Sequence, residues 1–191
     1  MVEGPVETGK HEVWWLRLAR VLRHLSFDER HARRVMPSAS ASRVTERVRQ
    51  SEQRHTGQIR VVVESGLPRS YLRRYLIGGT PLRTVVRERA LMQFAKHRVW
   101  DTQDNNGLLI YLLVAERAIE VVADRGLARN RTDGDWRALV SGMREPFRLG
   151  EFESGVLLAI DRCSVWLEQE FPRAAGEMAR SNELPDAPLL E

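Results

Sequence analysis

Apolar positions along the chain repeat mostly with a helical period, broken by three short runs that do not. Trp14, Leu18, Val21, Leu22 and Leu25 share one helical face, with Arg17, Arg20 and Arg23 mostly on others, which predicts a basic amphipathic helix over 12–25. Residues 1–10 read as a flexible arm before it. Asp28 to Ser40 reads as a connector broken at Pro37. A serine at 38, 40 or 42 then caps a helix marked by Ala41, Val44 and Val48, which runs to about Arg54 and stops at Gly57. Ile59 to Val63 is a β-branched run and predicts a strand. Gly66 to Thr80, with Pro68, Gly78 and Gly79, reads as a long loop with room for one helical turn, and Leu82, Val86, Ala90 and Phe94 predict a helix over 82–96.

Gly107 to Val114 is continuously apolar, as a strand buried on both faces is. Glu116-Arg117 supplies a tight turn, and Ile119-Glu120-Val121 begins an alternating strand that pairs back as a hairpin and ends at Asp124-Arg125-Gly126. Thr132 or Asp133 caps a helix carrying Trp136, Leu139, Val140, Met143 and Phe147, closed by Gly150. A last helix carries Phe152, Val156, Ile160, Cys163, Leu167 and Phe171 on one stripe up to Pro172. Such an order of helices and strands predicts an α/β fold: a three-layer α/β/α sandwich with a small mixed sheet of about four strands and helices on both faces. The organisation read from it is an arm and basic helix at 1–37, an α/β domain at 38–172 and a flexible tail at 173–191.

Composition changes this picture little. With 42% hydrophobic and 29% charged residues in a 191-residue chain, a globular domain with a real core is expected. No apolar run approaches the ~20 residues of a membrane span, and the polar N-terminus does not resemble a signal peptide, so a cytoplasmic location is the expectation. The net charge of +4 is uneven: residues 10–60 hold twelve Lys or Arg against five Asp or Glu. That basic segment suits an anionic membrane, with Trp14 and Trp15 at the interface, or nucleic acid; the competing reading packs the helix on the domain through its apolar stripe, with its arginines in water. The one cysteine, Cys163, lies on an apolar stripe and reads as a small buried hydrophobe.

Phosphate loops, His-Glu-x-x-His helices and nucleophile elbows are absent from the sequence, and five scattered histidines give no zinc spacing. What remains is an oxygen-rich end of the hairpin. Asp101, Asp104, Asn105 and Asn106 precede the strand starting at Gly107, and Asp124 follows its partner, so the hairpin brings both groups to one end of the sheet. Oxygen ligands of this kind suit Ca²⁺ or Mg²⁺. Arg125 beside them suits an anion contact or an ion pair with Asp124. Turn capping alone also accounts for Asp and Asn before strands. Glu52 reads as a site residue near the first strand or, the favoured reading, as a plain helix-surface acid.

Four segments in order resemble the TPM domain family, which includes thylakoid phosphatase-like proteins. These are Glu52 to Ile59 with the valines after it, Asn105-Asn106-Gly107-Leu108-Leu109-Ile110, Ile119 to Gly126, and Phe147-Arg148-Leu149-Gly150-Glu151-Phe152 with Gly155. The stretch Arg98 to Thr102 is similar to a bacterial subgroup that carries the domain alone. The resemblance covers about residues 38–172. It implies a single three-layer α/β domain whose relatives are described variously as weak acid phosphatases, calcium-binding domains or assembly modules. The family usually places Asp immediately before Asn-Gly; here that position is Asn105, with Asp104 one residue earlier, and an amide binds a hard cation less well than a carboxylate. The function expected from all this is a non-catalytic binding or assembly module, with a divalent cation at the hairpin end and another protein as partner. The alternatives are a weak metal-dependent acid phosphatase and, last, a basic N-terminal segment on an anionic membrane or nucleic acid.

Overall fold

The computed structural model describes residues 14–174 and 182–191; the arm read at 1–10 lies outside them. The β-branched and apolar runs form the strands β1 (Gln58–Glu64), β2 (Gly107–Leu113) and β3 (Ala118–Ala123). β1 and β2 are parallel, joined by a crossover through α4 (Arg69–Leu76) and α5 (Leu82–Lys96). β2 and β3 form the antiparallel hairpin, with Leu108 opposite Ala123 and Leu113 opposite Ala118. A 3₁₀ turn at Val114–Glu116 and a left-handed Arg117 make the reversal.

β1 alternates its side chains between two cores, as strand geometry demands. Ile59, Val61 and Val63 join one apolar cluster, with Leu108, Ile110 and Leu112 of β2, under α2 (Glu29–Val35), α3 (Ser38–Glu52) and α9 (Phe152–Glu170). The short helices α6 (Arg125–Ala128), α7 (Asp133–Ser141) and α8 (Arg144–Leu149) contribute Leu127, Leu139 and Phe147 to the same layer. Val62, Leu109 and Tyr111 face the other cluster, with Val21 of α1 (Trp14–Ser26), Leu72 and Tyr75 of α4, and Val85, Val86 and Ala90 of α5. The result is a three-layer α/β/α sandwich around a four-stranded mixed sheet of order β3-β2-β1-β4.

The fourth strand corrects the expected loose tail. β4 (Leu189–Leu190) pairs in parallel with Val62 and Val63, so part of 173–191 belongs to the sheet. The reason lies in β1. Its polar side chains alternate onto one face: the Gln58 amide oxygen accepts from the backbone of Glu183 and Leu184, and Arg60 donates to the carbonyls of Pro185 and Ala187. Three further expectations change. The connector at 28–40 contains α2, capped by Asp28 in a capping box with His31, and the loop at 66–80 contains the two-turn helix α4. The helix read through Trp136 to Phe147 is broken at Gly142-Met143 into α7 and α8.

Candidate functional site at the loop end of the sheet

After α5 the chain turns back through two left-handed residues, Arg98 and Asn105, and enters β2 at Gly107. Asn tolerates this backbone region better than most residues. Gly107 is needed for close approach: a Cβ there would lie 1.8 Å from the Val99 carbonyl oxygen. At the other side of the hairpin, Asp124 N–H donates to Gly107 O at 2.8 Å and Gly126 N–H to Asn105 O at 3.0 Å. A Cβ on Gly126 would stand 2.4 Å from Asn105 O, so the two loops touch backbone to backbone.

This contact brings the predicted groups to one end of the sheet, though not all of them to one point. Asn106 is buried. Its amide donates to Thr56 O at 3.0 Å, its backbone N–H donates to Thr102 Oγ1, and its Oδ1 has no hydrogen-bond partner. Asp124 is 6% exposed; its Oδ1 accepts from Arg125 N–H at 2.6 Å, and its Oδ2 is buried without a partner. Asp104 and Asn105 line, with Arg125, Gly126 and Arg129, a surface depression of about 360 Å³. Asp101 is exposed and pairs with Arg98 three residues before it. Among the described residues no group of three or more His, Cys, Asp or Glu side chains gathers in ligand geometry. The oxygens at this end are therefore two carboxylates, Asp104 and Asp124, with amides and carbonyls, a donor set suited to a weakly held hard cation. Arg125 forms the rim of the depression, where its charge opposes a cation and suits an anion.

Two polar clusters escaped the reading of the sequence. The first joins α3 to α9: Ser51 Oγ lies 2.7 Å from His55 Nε2 and also contacts Ser164 Oγ, while His55 Nδ1 faces Gly57 O at 3.1 Å. The carbonyl at Nδ1 fixes the proton there, which leaves Nε2 to accept from Ser51. A serine–histidine pair so arranged is the geometry of an activated nucleophile. Here Ser51, His55 and Ser164 are all 0% exposed, and burial lowers the His55 pKa to about 4. The pair is a core bracket. The second cluster lies in the opposite layer. Arg89 grips both carboxylate oxygens of Glu64, and Tyr111 Oη donates to Glu64 Oε2 at 2.7 Å. Burial first, then the Glu64 charge, push the Tyr111 phenol well above its ordinary pKa. The available signal was Arg89 on the helix face that also carries Val85, Val86, Ala90 and Gln93.

Glu52 is not the surface acid expected. Its carboxylate accepts from Ile59 N–H at 2.9 Å at the start of β1, and burial raises its pKa to about 7.

A mixed four-stranded sheet between two helical layers, with a hairpin whose open end gathers Asn106, Gly107 and Asp124, defines a small α/β domain of TPM type. The family model for the TPM domain matches residues 31–165, and the chain belongs to the TPM domain family. Among solved structures it is similar to the BA42 protein from the psychrophilic bacterium Bizionia argentinensis, determined by NMR. The TM-score is 0.63 at 22% identity, over 80% of this chain and 92% of that one, which is a likeness of fold. No curated protein matches the chain.

Proposed function

We propose that this TPM domain is a non-catalytic binding module whose hairpin end takes one divalent cation, Ca²⁺ or Mg²⁺. One observation carries the reading: Asp124 Oδ2 and Asn106 Oδ1, at the same end of the sheet, are buried acceptors with no hydrogen-bond donor. A buried acceptor left without a partner costs about 1–3 kcal/mol, more when it is charged. A hard cation repays that cost, with Asp104 and the backbone carbonyls of the loop as further oxygens. With so few carboxylates the affinity belongs to the weak class of oxygen sites, with Kd on the order of 10⁻⁴–10⁻³ M. The non-catalytic part is supported by the sealed position of the Ser51–His55 pair.

Titration of the chain with Ca²⁺ and Mg²⁺, followed by two-dimensional NMR, is expected to shift amides of 102–107 and 124–126 while leaving those of α9 in place. Asp124→Ala should weaken binding tenfold or more with the fold intact. Absence of any localised shift at millimolar metal refutes the cation site. Hydrolysis of a phosphomonoester that is lost in both Asp104→Ala and Asp124→Ala refutes the non-catalytic reading instead.

A further inference from the structure

Helix α1 is docked the opposite way round from the usual rule that a helix turns its apolar stripe to the core. At about 100° per residue, Trp14, Leu18, Leu22, Leu25 and Trp15 occupy one continuous arc of roughly 100°. That arc is largely in solvent: Trp14 is 67% exposed, Trp15 61%, Leu22 58% and Leu25 52%. The side that meets the domain is mostly polar. Arg17 donates to Tyr75 O and lies over the Tyr75 ring, and Arg20 donates to Tyr75 Oη. Arg23 pairs with Glu116, His24 Nε2 stands 3.0 Å from the same carboxylate, and His24 Nδ1 accepts from Leu67 N–H. Only Val21 gives this face a well-buried apolar anchor.

The stripe continues across the seam with α4. Val21, Leu25, Leu72, Leu76 and Ile77 line an apolar groove of about 250 Å³, and Ile77 is 76% exposed. The other residues lining it are Arg69 and Arg73, which form no ion pair among the described residues, and no acidic side chain lines it. Contiguous apolar surface of this kind on a folded domain marks an interaction site.

We infer that α1 and the rim of α4 form a peripheral docking surface for an anionic membrane. Leucines and tryptophans on one side of a 13-residue helix, with Arg69 and Arg73 of α4 beside them, fit a bilayer interface. The apolar arc enters the headgroup boundary, the indoles sit at its polar level, and the guanidinium groups meet lipid phosphates and carboxylates. A second copy of the chain fits less well, because a two-fold contact through this stripe sets Arg69 and Arg73 against their own equivalents. Among the described residues no helix is long and apolar enough to cross a membrane, so the contact is peripheral.

The test is flotation of the 191-residue chain with phosphatidylcholine vesicles, with and without phosphatidylserine, alongside tryptophan emission. Binding is expected to require phosphatidylserine and to fall with added salt. Leu22→Asp with Leu25→Asp, both at exposed positions, should abolish it while circular dichroism stays native. Arg69→Gln with Arg73→Gln should weaken it about thirtyfold, from the contribution of two arginines near an anionic surface. Failure of the native chain to float with phosphatidylserine vesicles, equal binding to uncharged ones, or unchanged binding by the leucine variant each overturns the inference. A native dimer that the leucine variant converts to monomer, without vesicle binding, assigns the stripe to a second copy and overturns it as well.

Discussion

Removing the guanidinium of Arg89 should be among the most damaging single changes in this domain. Glu64 and Arg89 are 4% and 7% exposed, and two guanidinium nitrogens reach the two carboxylate oxygens in a fork. Arg89→Met keeps much of the aliphatic stem and deletes the charge. Glu64 then retains only the Tyr111 hydroxyl and a long contact with Gln93 at 3.4 Å, and it remains between α5 and the sheet, out of reach of water. A buried carboxylate stripped of its partner costs about 3–5 kcal/mol. The pair as a whole is worth far less, because both charges were desolvated to form it. Glu64→Gln in the Arg89→Met background removes the uncompensated charge and leaves an oxygen to accept from Tyr111. Its cost should therefore fall to about 1–2 kcal/mol, chiefly for imperfectly placed amide donors. Urea unfolding at pH 7, followed by far-ultraviolet circular dichroism on both single variants and the double, gives the coupling energy directly. If Arg89→Met costs under about 1 kcal/mol, or if the double variant costs the sum of the singles, the pair is not a desolvated bridge and the reasoning fails.

The remaining predictions concern titrating groups in the α3–α9 layer. Cys163 is fully buried and its thiol is pushed up to about 12, so a thiol reagent at pH 8 should modify it no faster than the chain unfolds; prompt stoichiometric labelling of the native protein contradicts that burial. The His55 pKa falls from 6.5 to about 4 on folding, so the unfolded chain takes up a proton that the folded one refuses, and stability should drop by up to about 3 kcal/mol as pH falls from 6.5 to 4. The Glu52 pKa rises from 4.5 to about 7, which acts in reverse: stability is lost as pH rises across that window. Glu52→Gln should thus raise stability at pH 7 and steepen the acid limb, and a denaturation series at fixed pH that shows neither refutes the burial assigned to these groups.

The parts of the fold legible in the sequence are those whose signal is local. The hairpin followed from β-branched and apolar runs separated by Glu116-Arg117, and α9 from a stripe that holds for nineteen residues. β4 has two residues and no periodicity. It exists because Gln58 and Arg60, some 125 residues earlier, hold the segment before it, and no window along the chain contains both halves of that interaction. The candidate site was legible to the same extent. Asn106 and Asp124 come to the same end of the sheet because the hairpin register puts Gly107 against Asp124, which the strand reading contained. Asp101 pairs with Arg98 three residues before it, a contact that strand periodicity does not show. Glu52 was misread because what buries it, the start of β1 and the segment near Asp186, is assembled only by the fold.

The inverted docking of α1 follows from a competition that the helix alone does not reveal. Turning it about its axis to bury Trp14, Leu22 and Leu25 would gain about 1.5–3 kcal/mol per side chain. The same turn would strip Glu116 of Arg23 and His24. That carboxylate is 9% exposed; burial pushes its pKa up, and His24 and Arg23 hold it net below its ordinary value. Losing them costs about 3–5 kcal/mol. Tyr75 O, Tyr75 Oη and the Leu67 N–H would lose partners too, at about 1–3 kcal/mol for each group left buried. The two sums are of similar size, so the apolar stripe alone does not decide how the helix sits. The polar docking has one advantage the reverse lacks: it keeps every charge contact while leaving the stripe free to bury itself elsewhere. A membrane surface adds the apolar term without subtracting the polar one. α1 lies outside the matched TPM segment of residues 31–165 while α4 lies inside it, so the helix adds its stripe to a face of the domain, and deleting residues 1–26 should remove vesicle binding while sparing the cation site.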